Sequence, residues 1–176
     1  MSISRHRAAF ALAVSLAFCT PAPLSPAGAT ADPAFDAFQA GEYLTAIKEA
    51  EKAAAQGDPA AHTLLGEIYF KGLGAKRDEA EAAKWYEKGA ELGDPNAQLA
   101  FGLMLNEGRG VKQDKARAAA LFEKAAKKGL ASAQYNIALV LIEGRVRKAD
   151  HKEAVAWLTK AADQDHAQAL DDRSGV

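Results

Sequence analysis

The chain is poor in the residues from which metal and redox sites are built. Of its 176 residues, one is cysteine and four are histidine. Cys19 lies in an N-terminal segment that we expect to be removed, so disulfides, zinc-thiolate centres and cysteine nucleophiles are excluded from the remainder. No two histidines stand four residues apart, and no nucleophile-elbow or phosphate-loop motif is present. We therefore expect no metal, no cofactor and no catalytic site.

The chain also lacks an apolar run long enough to cross a bilayer. The longest one near the N-terminus, residues 8–18, has eleven residues, whereas a spanning helix needs ~20. It follows the basic residues 5–7 and precedes Ala-Gly-Ala at 27–29, which is the arrangement of a signal peptide. We predict cleavage after Ala29 and a periplasmic or secreted protein. Residues 16–19, Leu-Ala-Phe-Cys, outline an alternative lipoprotein site at Cys19, although Phe18 is bulky for one.

Charge of one sign is not in large excess. The chain has 22 basic and 23 acidic residues, and removal of residues 1–29 takes two arginines and leaves a net charge of −3. This mild balance argues against nucleic acid or another polyanion as the main partner.

What the chain does have is an internal repeat of 36 residues. Shifting the sequence by 36 places superimposes Gly57 on Gly93 and Gly129, and the same shift aligns glycines, aspartates and alanines throughout. Such a period is typical of an array of supersecondary units. We predict an atypical N-terminal cap at 30–56, three full units at 57–92, 93–128 and 129–164, and a truncated unit at 165–176. The cap has a shortened first helix and lacks the glycine loop.

Each full unit reads as helix, loop and helix. Asp58-Pro59 and Asp94-Pro95 begin first helices, because aspartate caps a helix and proline fixes its first residue. Asp78 begins a second helix in the same way, with Glu81 three residues on, the spacing of a capping box. The loops between the helices contain glycines that can adopt positive φ and turn the chain; these are Gly72, Gly74, Gly108, Gly110 and Gly144. Val146 takes the second place in the last loop, so that turn must differ.

The packing of each unit follows from spacing. Ala97, Phe101 and Leu105 recur every four residues and form the core stripe of a first helix. Gly102 costs ~1 kcal/mol relative to alanine inside a helix, so Gly66 and Gly102 indicate that two helices approach closely there. Large side chains of the second helices, including Trp85 and Trp157, are structural positions of the repeat.

These residues resemble the Sel1-like repeat, a relative of the tetratricopeptide repeat. The resemblance covers about 110 residues from Gly57 to Gln164. Its matches include Leu65-Gly66, Tyr69, Gly72, Gly74, Asp78, Trp85-Tyr86, Ala97-Gln98, Gly102, Gly108, Gly110-Val111, Asp114, Ala133-Gln134, Gly144, Asp150 and Trp157. It implies an all-α fold, an α-solenoid of antiparallel helix pairs, and a role in protein–protein contact. Partners implied are a protein or peptide, for example the periplasmic part of a membrane sensor or envelope machinery.

In such arrays the first helices line the concave side, and residues opposite the core stripe face the groove. At 100° per residue these positions form a largely apolar strip: Phe70, Leu99, Leu103, Asn106, Tyr135, Leu139 and Ile142. They form either a binding groove or a packed layer between first helices. A basic loop edge could meet an acidic partner or merely be solvated; it consists of Lys76, Arg77, Arg109, Lys112, Arg145, Arg147 and Lys148. Five carboxylates are interpreted as solvated charges on polar helix faces: Glu79, Glu81, Glu87, Glu91 and Glu123.

We expect an exported adaptor or regulator that acts as a monomer and is not an enzyme. One alternative is a cell-wall or β-lactam hydrolase, because a cysteine-rich secreted branch of the resembled family has been given such activity. The absence of cysteine pairs from the repeats weakens that alternative. Another is a self-assembling structural module, since a truncated last unit would leave Trp157, Leu158 and Ala161 poorly covered.

Overall fold

The structure, a computed structural model, describes residues 32–144, 146 and 148–164. These ranges contain eight α-helices and no strand. The helices are α1 (Pro33–Gln39), α2 (Tyr43–Ala55), α3 (Pro59–Lys71), α4 (Glu79–Glu91), α5 (Pro95–Glu107), α6 (Lys115–Lys127), α7 (Ala131–Glu143) and α8 (His151–Ala162). Among these described helices, none has the length and apolar character of a membrane span.

All eight described helices belong to one compact unit. The predicted signal peptide at 1–29 and the predicted truncated unit at 165–176 lie outside the described residues.

The helices pack in sequential pairs. Each of α1, α3, α5 and α7 packs against the helix that follows it, and each second helix packs against the first helix of the next pair. The all-α solenoid with a repeat of about 36 residues, predicted from the sequence, is confirmed. The N-terminal pair is shorter, because α1 has seven residues where each later first helix has thirteen. One glycine with positive φ, Gly41, turns the chain between α1 and α2.

Aspartate side chains begin six of the eight helices. Asp58 and Asp94 each accept a hydrogen bond from a backbone N–H in the first turn of α3 and α5, and proline follows each of them. The side chains of Asp78, Asp114 and Asp150 likewise accept a hydrogen bond from a backbone N–H in the first turn of the second helices α4, α6 and α8. These caps satisfy N–H groups that no helical carbonyl can reach. The aspartate cap of the second helices therefore repeats every 36 residues, whereas the first helix α7 begins at Leu130 without a side-chain cap.

The interior of the array consists of two apolar clusters, one formed by α1, α2 and α3 and a larger one formed mainly by α4 to α8. Its largest fully buried side chains are Phe101, Phe122, Leu65, Ile68, Ile137, Leu141 and Leu158. The expectation that Leu158 and Ala161 are poorly covered is wrong, since both are fully buried. Both side chains belong to the larger core cluster, which α8 joins by packing against α7 of its own pair.

Glycine lets the paired helices approach closely at the middle of two units. A Cβ added to Gly66 would lie 2.6 Å from the Tyr86 ring, and one added to Gly102 would lie 2.6 Å from the Phe122 ring. The third unit has Ala138 and Leu158 at the equivalent places. The first helix thus carries glycine where the second helix brings an aromatic ring, and alanine where it brings leucine.

Two buried glutamines tie neighbouring pairs together. The side-chain nitrogen of Gln98 donates to the carbonyl of Ala90, and that of Gln134 donates to the carbonyl of Ala126, each at 3.3 Å. Both bonds run from a first helix back to the end of the preceding second helix. A buried polar side chain is tolerated there because it satisfies a backbone group.

Candidate functional site

The first helices of the full pairs form one side of the array, here called the first-helix face. Contacts run directly between α3 and α5 along this side. All seven side chains expected on it are half-buried. Five of them, Phe70, Leu99, Leu103, Tyr135 and Ile142, pack against the core cluster of the last three pairs. These side chains therefore contribute to the packing between first helices while leaving part of their surface open.

A hollow of about 160 Å³ opens on this face between α3 and α5. The residues that line it are mostly apolar, together with two charged ones: Phe70, Tyr86, Ala100, Leu103, Met104, Glu107 and Arg109. The structure thus brings two of the predicted residues into one site. Leu99, Asn106, Tyr135, Leu139 and Ile142 lie elsewhere on the first helices and do not line it.

The side chain of Arg109, a residue of the second full unit, contacts residues of the first full unit beside this hollow. Its guanidinium carbon lies 4.6 Å from the centre of the Phe70 ring, a cation–π arrangement. Its Nη2 atom donates to Glu79 Oε1 at 2.7 Å. Arg77 donates to the same oxygen at 2.5 Å. One carboxylate therefore holds two guanidinium groups beside the hollow.

Glu79 is not the solvated surface charge that the sequence suggested. Hydrogen bonds from Arg109 and Arg77 lower the pKa of its carboxyl group from 4.5 to about 2. The interpretation failed because the decisive partner, Arg109, is thirty residues away and belongs to the next repeat. Burial also raises the pKa of the Tyr86 hydroxyl above its usual value. Both groups therefore keep one protonation state at neutral pH.

The ion pairs of Glu79 predict an acid-dependent contribution to stability. Because the folded-state pKa is lowered, the carboxylate stabilises the fold above about pH 4.5, and this contribution is lost as the pH falls towards 2. We expect Glu79→Gln to lower the melting temperature at pH 7 and to melt with the wild-type protein near pH 2. Thermal melts across this range test the prediction. Glu51→Gln, at an exposed position of α2, is the control; a gap for Glu79→Gln that stayed constant with pH would contradict the account.

The basic loop edge is partly engaged within the protein. Arg77 and Arg109 both bind Glu79, and Arg109 also lies 3.6 Å from Glu107. Lys76, Lys112 and Lys148 are exposed. Arg145 and Arg147 lie outside the described residues. Arg77 and Arg109 therefore form ion pairs within the protein.

The two tryptophans occupy structural positions. Trp85 is half-buried against the N-terminal core cluster, with its ring centre 5.7 Å from that of His62. Trp157 donates to Glu153 at 3.2 Å, and the Lys160 ammonium lies 4.5 Å from its ring centre. Both rings are partly buried, and each packs against one of the two core clusters.

The described residues contain no group of three or more His, Cys, Asp or Glu side chains arranged to hold a metal ion. His62 is buried, and its Nδ1 atom lies 2.7 Å from the carbonyl oxygen of Asp58, to which it donates. This histidine links the first turn of α3 to its N-cap, so its position is accounted for by helix packing.

These features define a repeat protein made of stacked helix pairs, with an apolar hollow between two first helices. The chain belongs to the Sel1 repeat family. Three copies of the Sel1 repeat match residues 59–94, 95–130 and 131–166. The matched copies have the same 36-residue length as the units delimited above and begin two residues later. Sel1-repeat solenoids commonly mediate protein–protein interaction, and they are typically non-enzymatic scaffolds.

Solved structures of other Sel1 repeat proteins are similar to this one. A Sel1 repeat protein from Oxalobacter formigenes is 31% identical with a TM-score of 0.75, and the match covers 80% of this chain and 58% of that one. The protein c5321, described as a protective antigen of uropathogenic Escherichia coli strains, is 31% identical with a TM-score of 0.77. That match covers 82% of this chain and 32% of c5321. None of the curated proteins compared with the chain matches it.

Proposed function

We propose that the protein is an exported adaptor or regulator that binds a partner protein or peptide through its first-helix face. The observation that carries this proposal is the hollow between Phe70 and Leu103. Its volume of about 160 Å³ and its apolar walls fit one large aliphatic or aromatic side chain of a partner. Insertion of apolar anchors into a groove is a common way to recognise a helix or an extended peptide.

The construction of the hollow supports this role. Its walls come from two different repeats, and Arg109 and Glu79 join those repeats by a hydrogen bond at its edge. The site is thus formed before a partner arrives, which reduces the ordering cost of binding. The half-buried side chains of α7 extend the same face beyond the hollow and would contact the rest of a longer ligand.

Export is the second part of the proposal and rests on residues 1–29. The basic start, the eleven-residue apolar run and the small residues before Thr30 are the features that support it. Fractionation of the producing cell, followed by mass measurement of the protein, tests it. Recovery of an unprocessed chain from the cytoplasm would contradict it.

We expect Leu103→Glu to weaken partner binding more than tenfold, because it places a carboxylate in the hollow. A partner is first recovered from an envelope extract with the wild-type protein, and its Kd is then measured by calorimetry. Leu139→Glu, on the same face outside the hollow, should have a smaller effect. The control is Leu44→Glu on α2, where the leucine is 74% exposed.

Circular dichroism establishes that each variant keeps its helicity. If folded Leu103→Glu binds the recovered partner with unchanged affinity, the hollow is not the anchor site. If Leu44→Glu abolishes binding instead, the partner uses the N-terminal pair and the assignment to the first-helix face is wrong.

A further inference from the structure

One polar group that lines the hollow of the first-helix face has no partner. Tyr86 of α4 is a lining residue, and only 7% of its surface is exposed. None of the described residues forms a hydrogen bond with its hydroxyl. Two other partnerless side-chain atoms in the described part of the chain, Trp85 Nε1 and Gln98 Oε1, are fully enclosed, and neither residue lines the hollow. The Tyr86 hydroxyl is therefore the unused hydrogen-bonding group that a ligand of the hollow can reach.

The Tyr86 ring reaches the first-helix side of the array past Gly66 of α3. The glycine leaves room for the ring, because an added Cβ would lie 2.6 Å from it. The charge of Glu67, the next residue of α3, acts on the hydroxyl. Phe70, which lines the hollow, follows Glu67 by about one helical turn. The hydroxyl end of Tyr86 therefore lies beside the turn of α3 that carries Phe70.

This hydroxyl is specific to the first full unit. One and two repeats further along the chain, the equivalent residues are Phe122 and Leu158, which have no polar side-chain atom. Phe122 packs against Gly102 in the way that Tyr86 packs against Gly66. A phenylalanine thus fills this packing position within the same protein. The hydroxyl of Tyr86 is therefore not required for the packing of a helix pair.

The charged groups around the hollow are paired with one another. Arg109 donates to Glu79 at 2.7 Å, and its Nη1 atom lies 3.6 Å from Glu107. Glu67 accepts a hydrogen bond from Lys71 at 2.5 Å. A charged tip of a ligand would compete with these ion pairs and would also lose its hydration on entering a mostly apolar hollow. The lining therefore favours a neutral ligand group.

The Tyr86 hydroxyl is itself a neutral donor and acceptor. Burial and, to a smaller extent, the charge of Glu67 raise the pKa of this hydroxyl above its usual value, so it keeps its proton at neutral pH. Water can satisfy the hydroxyl while the hollow is open. A ligand that fills the hollow with hydrocarbon alone would displace that water and leave the hydroxyl unpaired, which lowers affinity. A ligand that carries its own hydroxyl avoids this loss.

We propose, on the basis of the function proposed above, that the hollow receives a tyrosine side chain of the partner protein and that Tyr86 selects it. The ring of this anchor contacts Phe70, Leu103 and Met104, and its hydroxyl pairs with the Tyr86 hydroxyl. Tyrosine combines a large apolar body with a neutral tip that both donates and accepts. A phenylalanine or leucine anchor lacks the tip, and a carboxamide would bring two N–H donors to a single hydroxyl oxygen.

The test uses the side-chain analogues of tyrosine and phenylalanine, para-cresol and toluene. Each is titrated into the protein, purified as its host cell produces it and isotopically labelled at its methionine methyl groups. Met104 lines the hollow, and the other methionine is Met1, so the Met104 methyl resonance reports occupancy of this site. The variant Tyr86→Phe removes only the hydroxyl, and Phe122 shows that a phenylalanine ring fits beside a first-helix glycine.

We expect the ratio of the two Kd values to change at least about fivefold between the wild-type protein and Tyr86→Phe, in favour of para-cresol when the hydroxyl is present. Comparing ratios removes the difference in hydrophobicity between the two analogues. Para-toluate, whose tip is charged, should bind more weakly than para-cresol. Tyr86→Phe should also weaken binding of the partner recovered from the envelope extract at least about fivefold.

An unchanged ratio of Kd values would overturn the role of Tyr86, as would the absence of a saturable shift of the Met104 methyl resonance. Tighter binding of para-toluate would mean that charge selects the anchor, and the tyrosine assignment would be wrong. The recovered partner separates this inference from the function on which it rests. If Leu103→Glu weakens partner binding and Tyr86→Phe does not, the first-helix face binds the partner through an anchor other than tyrosine.

Discussion

Replacing Gly110 by alanine should lower the free energy of unfolding by roughly 3 kcal/mol. Gly110 has φ of 66°, where an L side chain is strained. An added Cβ would lie 2.9 Å from the backbone nitrogen of Ala80 and closer still to the carbonyl group of Glu79. These are backbone atoms at the start of α4, which cannot relieve the clash by changing rotamer as a side chain can. The loop of the second unit must therefore move away from the first unit, and the Arg109–Glu79 bond is expected to weaken with it.

The matched control for this prediction is Gly57→Ala. Gly57 also has positive φ, 85°, but no atom lies within 4 Å of an added Cβ. Gly57→Ala should lower the free energy of unfolding only by the conformational strain of alanine at positive φ, ~1–2 kcal/mol. Chemical denaturation of both variants measures the difference. If Gly110→Ala is no more destabilising than Gly57→Ala, the close contact between the loop and α4 does not exist in solution.

The role of Gly110 shows which part of the fold was accessible from the sequence. The glycine pairs of the first two loops predicted sharp turns, and Gly108 and Gly110 both have positive φ. The sequence did not indicate that the second glycine faces the backbone of the preceding unit. Its function depends on how consecutive units stack, and the pattern inside one unit carries no information about stacking.

The first-helix face was predictable only in part. The 100° rotation per residue predicted that Leu99 and Leu103 lie opposite the core stripe, and the structure leaves both half-buried. It did not show that Phe70 and Leu103 share one hollow or that Arg109 covers the Phe70 ring. Helix geometry fixes the direction in which a side chain leaves its helix. The neighbour that it meets is determined by packing between repeats.

Net charge was a poor guide to the surface for a related reason. The balance of −3 after the expected cleavage argued against strongly charged partners. That balance averages an acidic first full unit and a basic second one. Local charge follows from the distribution along the array and from which pairs form, such as Arg117 with Glu87.

The pairing of Gly102 with Phe122 leads to the second large stability effect. Gly102→Ala should cost roughly 2 kcal/mol, because the added methyl group overlaps a buried ring by more than the better helix propensity of alanine regains. Phe122→Leu alone should cost about 1 kcal/mol. Together they reproduce the Ala138 and Leu158 combination of the third unit.

We therefore expect the double variant Gly102→Ala/Phe122→Leu to be at least ~1 kcal/mol more stable than the sum of the single changes predicts. Urea denaturation of the wild-type protein and the three variants closes the double-mutant cycle. Strict additivity would mean that the ring and the glycine do not share one packing site. A favourable coupling would show that each repeat balances the size of a second-helix residue against a small residue on its first helix. The spacing between paired helices would then be conserved from unit to unit while the residues at the contact change.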